Sequence, residues 1–371
     1  MRYEVPGHEP VERYEPLLVA ALPVAMALGA PIEVAGPVSP RLIAGLSTAK
    51  RVLDGWFEDL DPVGIKAPLE PPPAAPDRGV ACFFTAGLDS FHTALTHRDR
   101  LDALVFVHGF DVPLDDPPHR ERVAAVVRRA ADGLGLPLVE VETDLRDLSN
   151  PHCRWGEEYH GAALASVAHV LSDRFRELLV AASSPLSRLH VWGSHPALDP
   201  WWSSEAVELV HDGAVTRVEK LSVIRDSEVA LANLRVCFQV GADQLNCGRC
   251  EKCLRTMVGL RIVGALERCP TLPDEVPLDE LARRPVGEDY LIDRARENLA
   301  AAEQVGDADL AAALREMIRN GPRRAAVRRG GESVRRGLRR RTRPLRRGVR
   351  RSRRAGARRL RRLRRRARRR R

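Results

Sequence analysis

The sequence predicts an α/β fold, an open parallel sheet with helices on its flanks. Two observations carry this. Between residues 79 and 275, short apolar runs alternate with longer stretches of helical pattern. The first of those runs ends in a turn of small residues that leads straight into a helical pattern, the junction at which parallel sheets place ligands.

The elements follow in chain order. Residues 1–66 read as an N-terminal helical extension, with helical apolar spacing around Leu17–Leu28 and Leu42–Trp56. Residues 67–78 hold five prolines and read as a stiff extended linker. In 79–275, Val80–Phe84, Ala103–His108, Leu138–Val141 and Leu189–Gly193 read as buried parallel strands. Arg120–Leu134 and Gly161–Ala182 read as the helices between them. Residues 276–321 form a helical C-terminal segment, with two helices expected over 288–320, and 322–371 read as a disordered arginine-rich tail.

Charge distribution matters more than net charge. The 371-residue chain carries +10, yet residues 322–371 alone hold 27 arginines, one acid and no lysine, for +26, and residues 1–321 carry −16. A basic globular nucleic-acid binder is therefore excluded. Nucleic acid or an anionic surface is a partner only through the tail, whose lysine-free basicity also fits a compositionally biased extension. The longest apolar run, Leu17–Ala30, is interrupted by Pro23 and falls short of the roughly 20 residues of a membrane span. Acidic residues precede it, unlike a signal peptide. A cytoplasmic location is the expectation, so the seven cysteines are read as metal ligands or core residues before disulfides.

The turn is Thr85-Ala86-Gly87-Leu88-Asp89-Ser90. Small residues there expose backbone N–H groups at a helix N-terminus, which is an arrangement that holds phosphate. Thr85 and Ser90 add hydroxyl donors, and Asp89 can orient the loop or help hold Mg²⁺. The bland alternative is a strand–turn–helix capped by Asp89-Ser90. If position 86 needs a positive φ, alanine is strained in it. The segment resembles the SGGxDS loop of the PP-loop ATP pyrophosphatases, with Thr85 for serine and Ala86 for the first glycine.

Cys247-Gly-Arg-Cys250-Glu-Lys-Cys253 is C-x2-C-x2-C, with Cys237 nine intervening residues upstream. Four thiolates in so tight a loop suit tetrahedral Zn²⁺, and a full set of protein ligands makes the metal structural. Gly248 allows the turn between ligands, and Arg249, Lys252 and Arg255 offset the −2 of a four-thiolate zinc site. A ferredoxin-type iron–sulfur pattern needs a cysteine where Met257 stands, with Cys269-Pro270 as a more distant alternative ligand.

The two motifs in this order resemble the 7-cyano-7-deazaguanine synthase (QueC-like) family over roughly residues 79–268. The resemblance implies a PP-loop, Rossmann-like fold of the HUP type. It implies an ATP-dependent adenylating enzyme that uses Mg²⁺, forms AMP and pyrophosphate, and activates a carboxylate or amide oxygen of a small-molecule acceptor for ammonia or an amine. It assigns catalytic roles to Asp89, Ser90 and Lys220, the last as the phosphate-contacting lysine. It assigns nucleotide binding to the turn Thr85, Ala86, Gly87, Leu88, Asp89 and Ser90, with His108 also expected there, and acceptor binding to Gly193 and Asp199. His195 is a further acceptor candidate because it follows the carboxyl end of an expected strand, and Trp201 because its ring can stack a planar base, with core packing the alternative. The acceptor region departs from the family at His108-Gly109-Phe110 and at Asp199–Glu205, so a different acceptor is expected. The remaining readings are a nucleotide-binding protein without catalysis and a PP-loop RNA-modifying enzyme that uses the basic tail. Cys153, between His152 and Arg154, has a basic neighbourhood able to lower its pKa.

Overall fold

The computed structural model describes residues 1–7, 13–73, 77–239 and 244–329. They form two units, the first from Met1 to Val276 and the second from Pro277 onward. The first unit opens with a short strand β1 (Tyr3–Glu4), helix α1 (Glu15–Leu28), strand β2 (Ile32–Glu33), helix α2 (Pro40–Trp56) and strand β3 (Ile65–Lys66). The sheet region follows, with β4 (Gly79–Phe83), α3 (Leu88–Thr96), β5 (Ala103–His108), α4 (Pro117–Leu134), β6 (Leu138–Thr143), α5 (Leu145–Ser149) and α6 (His160–Val170). Then come β7 (Phe175–Ala181), β8 (Glu208–Asp212), α7 (Arg217–Ile224), α8 (Glu228–Asn233) and α9 (Glu251–Ile262).

Six strands form one sheet in the order β1-β6-β5-β4-β7-β8. β1 lies antiparallel to β6, and the other neighbours are parallel. Chain order therefore runs outward from β4 to β5 and β6, then returns to the other side of β4 with β7 and β8. The reversal lies between β4 and β7, and open α/β sheets bind ligands at such a switch point, off the carboxyl ends of the strands. β5 is buried along its whole length, as expected of a central parallel strand. One face of the sheet, with Ala81, Val105, Val141 and Leu178, shares a core with Leu18, Leu22 and Met26 of α1, Leu42 and Leu46 of α2, and Leu164 of α6.

The described residues of 1–66 are built into this unit. α1 packs on α6, where the Tyr159 hydroxyl donates to the Ala20 carbonyl of α1 (2.8 Å). The buried Glu15 carboxylate accepts the Ser39 N–H (2.9 Å) at the cap of α2. The proline-rich segment expected as a linker is paired at Leu69, which forms a parallel bridge with Val38, and its residues 74–76 lie outside the described residues.

The strand expected at Leu189–Gly193 is irregular backbone, with Leu189 and Val191 39% and 40% exposed. The strand in its place is β7, inside the stretch expected to be a helix over Gly161–Ala182. α6 stops at Val170, and the chain turns before Phe175. β8 went unread because polar residues occupy both its ends.

The second unit contains α10 (Leu278–Arg283), α11 (Asp289–Gln304) and a helix over residues 308–329. Leu281, Ala302, Leu310 and Leu314 are buried within it, and Arg324 donates to the Ala282 carbonyl (2.6 Å). The helix runs past Pro322, where the tail was expected to begin, and the rest of that expected tail, 330–371, lies outside the described residues. Among the described residues no helix is long and apolar enough to cross a membrane.

Candidate functional site

The turn after β4 lies at the switch point. Gly87 is the N-cap of α3, and Ala86 adopts φ +54°, the strained conformation anticipated for an alanine there. The turn is tied to itself, because the Ser90 hydroxyl donates to the Gly87 carbonyl (3.1 Å) and accepts the Thr85 N–H (3.2 Å). It is also tied outward, because the Ala86 carbonyl accepts the Arg235 N–H (2.8 Å). A left-handed φ costs a non-glycine residue about 1–2 kcal/mol, whereas a buried alanine-to-glycine change elsewhere costs about 1 kcal/mol. Ala86→Gly is accordingly expected to hold or raise stability in urea denaturation. A loss above about 1 kcal/mol contradicts the strain.

Asp89 and Lys220 form an ion pair (2.6 Å). Lys220 is 2% exposed and also donates to the Ala182 carbonyl at the end of β7. Burial works against the Asp89 carboxylate, but Lys220 and then Arg217 hold its carboxyl below the usual range. Lys220 therefore positions Asp89 from below.

The turn opens onto an open-sided pocket. Thr85, Gly87, Leu88, Asp89 and Ser90 line one side, and Arg217, Arg235, Lys252 and Arg255 bring cations from α7, α9 and the segment before Cys237. Among the described lining residues Asp111 is the one further acid, and Lys220 is not among them. Arg217 is the first residue of α7, held there by the Thr216–Glu219 capping box. Burial pushes the Lys252 ammonium below its ordinary pKa, and Asp111 opposes that. Phe238, 54% exposed, forms a further wall, with the Lys252 ammonium 3.5 Å from its ring centroid. A cationic pocket on a helix N-terminus can bind a polyphosphate.

Beside the pocket, the four cysteine sulfurs of Cys237, Cys247, Cys250 and Cys253 lie within 4.8 Å of one another. Tetrahedral zinc with Zn–S near 2.3 Å needs sulfurs about 3.8 Å apart. The Cys237–Cys250 and Cys247–Cys253 separations are 3.8 and 3.9 Å. Backbone N–H groups of Gln239, Cys250 and Cys253 point at three of the sulfurs (3.2–3.4 Å), as suits thiolates. Burial opposes ionisation of Cys247, but the N–H groups of Arg249 and Cys250 pull its thiol down to about 6. Gly248 has φ +70°, and a Cβ there would meet Pro273 at 2.7 Å, so the turn between ligands requires glycine. The cluster could hold a metal such as zinc, and the buried Asn246 joins its two halves by accepting from the N–H groups of Val236 (2.8 Å) and Cys237 (3.1 Å). Cys269 lies outside the cluster, with its thiol toward the Leu231 carbonyl.

The remaining expected site residues do not line this pocket. His108 pairs with Glu140 of β6 (2.8 Å), and that hydrogen bond, with Arg128, brings the Glu140 carboxyl down to about 2 against its burial. Asp199 is 1% exposed and fully engaged, accepting from the Ser194 hydroxyl (2.7 Å), the His195 N–H (3.1 Å) and His211 Nδ1 (2.7 Å). Gly193 follows no strand. It packs on residues 156–160, and its N–H donates to the Gly156 carbonyl (2.9 Å). His195 meets the Trp56 ring edge-on (4.9 Å), and Trp201, 42% exposed, lays its carbonyl over Gly45 of α2. Of these four residues, His195 and Trp201 thus lie against α2. Burial, then Glu158, pushes the Cys153 thiol up to about 12, so its basic neighbours do not activate it.

Sequence reasoning missed Arg217, Arg235, Asp111 and Phe238 as pocket residues. The signal available was adjacency, since Arg235 and Phe238 flank a ligand cysteine. Comparison with known proteins finds no matching family model, no matching curated protein and no matching solved structure.

Proposed function

We propose that this chain is an ATP-dependent adenylating enzyme of the PP-loop, HUP-like type. In this reading an acceptor carboxylate or amide oxygen attacks the α-phosphorus of ATP, the bond to the β-phosphate oxygen breaks, and pyrophosphate leaves. Ammonia or an amine then displaces AMP from the activated carbon and loses a proton. The observation that carries the reading is one convergence: a self-tied small-residue turn at the switch point, on the N-terminus of α3, faced by Arg217, Arg235, Lys252 and Arg255. Those cations are placed to offset charge on a leaving pyrophosphate. The donor set also fits Mg²⁺, because Asp111 and Asp89 are hard oxygen ligands lining the pocket. Held there, the metal would offset phosphate charge.

One observation favours a nucleotide-binding protein without catalysis: the Asp89 carboxylate is committed to Lys220. A single experiment separates the readings. The purified protein receives ATP, Mg²⁺, ammonia and a pool of small carboxylic acids, with pyrophosphate release and ATP binding both measured. Acceptor-dependent pyrophosphate release is the expected result. ATP bound and left intact selects the non-catalytic reading, and absence of ATP binding overturns both.

A further inference from the structure

We propose that the cysteine loop is a metal-assembled half of the phosphate pocket, so that zinc and a di- or triphosphate bind cooperatively. The proposal rests on the reading of the pocket as a phosphate site. Three of the four lining cations are neighbours of ligand cysteines: Arg235 lies two residues before Cys237, Lys252 between Cys250 and Cys253, and Arg255 two residues after Cys253. Val236 and Phe238, on either side of Cys237, line the pocket as well. The fourth cation, Arg217, donates to Thr256 (2.6 Å) of α9, the helix whose N-cap is Cys250.

The metal thus ties together two chain segments that each supply pocket wall. One carries Arg235 and Phe238, and the other carries Lys252 and Arg255. The first reaches the phosphate turn through the Arg235 N–H on the Ala86 carbonyl (2.8 Å), and the two segments meet where Lys252 lies 3.5 Å over the Phe238 ring. Holding like-charged side chains around one pocket is costly until an anion fills it. A bound polyphosphate therefore stabilises the arrangement that the thiolates enforce, and the thiolates hold the arrangement the polyphosphate needs. Linkage makes the effect reciprocal, so each ligand raises the affinity for the other by the same factor.

The test uses the full-length, zinc-loaded protein and pyrophosphate with Mg²⁺ as the probe. Zinc partition between the protein and a chromophoric chelator is measured at equilibrium with and without pyrophosphate, at constant ionic strength set with sulfate. Saturating pyrophosphate is expected to raise zinc affinity about tenfold or more, within the usual range of couplings between sites. Lys252→Gln keeps all four cysteines and is expected to lose most of that gain, which also controls for chelation of zinc by pyrophosphate itself. Zinc affinity that is unchanged or lowered by pyrophosphate in the wild-type protein overturns the proposal and leaves the phosphate reading standing. Calorimetry that finds no pyrophosphate or ATP bound to the zinc-loaded protein removes the phosphate reading instead.

Discussion

Cys250→Ser is expected to abolish stoichiometric zinc and to lower the melting temperature by about 10 °C or more. Cys250 is 9% exposed, and its sulfur both belongs to the tetrahedral set and accepts the Cys253 N–H as the N-cap of α9. A serine hydroxyl is a poor zinc ligand at neutral pH, and three thiolates left without metal would be like charges at van der Waals distance. Structural zinc contributes folding free energy directly, on the order of 10 kcal/mol in small domains that have no other core. Here the unit has its own large apolar core, so the expected loss is smaller, about 4 kcal/mol, and each kcal/mol moves the transition by roughly 2–4 °C at this size. Cys269→Ala tests specificity, because that thiol is buried among the same elements without belonging to the set. It should retain full zinc. Metal analysis that finds undiminished zinc in Cys250→Ser, or none in the wild-type protein, contradicts the assignment of the cluster.

The cysteine set was legible in the sequence because the spacings that bring four thiols together for a metal are short and recognisable. The Thr85–Ser90 turn was legible because a buried strand, a run of small residues and a helix must follow one another there. The cations that complete the pocket were less so. Lys252 and Arg255 were read only as charge balance for zinc, and Arg217 reaches the pocket from a helix about 130 residues after the turn. The acceptor region was placed by resemblance, and its physics is different. Asp199 is occupied by Ser194, His195 and His211, and His211 lies on β8, which was not recognised. β7 was hidden because Arg176 and Glu177 at its start resemble the polar face of a helix, while its buried Leu178–Val180 follow α6 after a turn of only a few residues. Leu189 and Val191 misled in the opposite sense, as apolar residues that stay largely exposed in irregular backbone.

Asp89→Asn is expected to cost more stability than Lys220→Met, although the two substitutions break the same pair. The reason is unequal burial. Lys220 is 2% exposed, so removing the carboxylate leaves a buried ammonium with only the Ala182 carbonyl, a loss of about 3–5 kcal/mol. The Asp89 side chain is 32% exposed and lies near Arg217 and Arg255, so removing the ammonium costs it less, about 1–2 kcal/mol after solvent screening. The double variant contains no buried unpaired charge and is expected to lie well above the sum of the two losses, with a coupling of about 2 kcal/mol in a double-mutant cycle. The pH dependence has a definite sign. The Asp89 carboxyl is depressed in the folded protein, so its contribution is present above the unfolded carboxylate value, near pH 4, and is lost as pH falls through the folded one. The gap in stability between the wild-type protein and Asp89→Asn should therefore be widest at neutral pH and close as the solution is acidified below about pH 4. Single losses that add without coupling would mean that Lys220 is held by the end of β7 alone. In that case the Thr85–Ser90 turn is not anchored through Asp89.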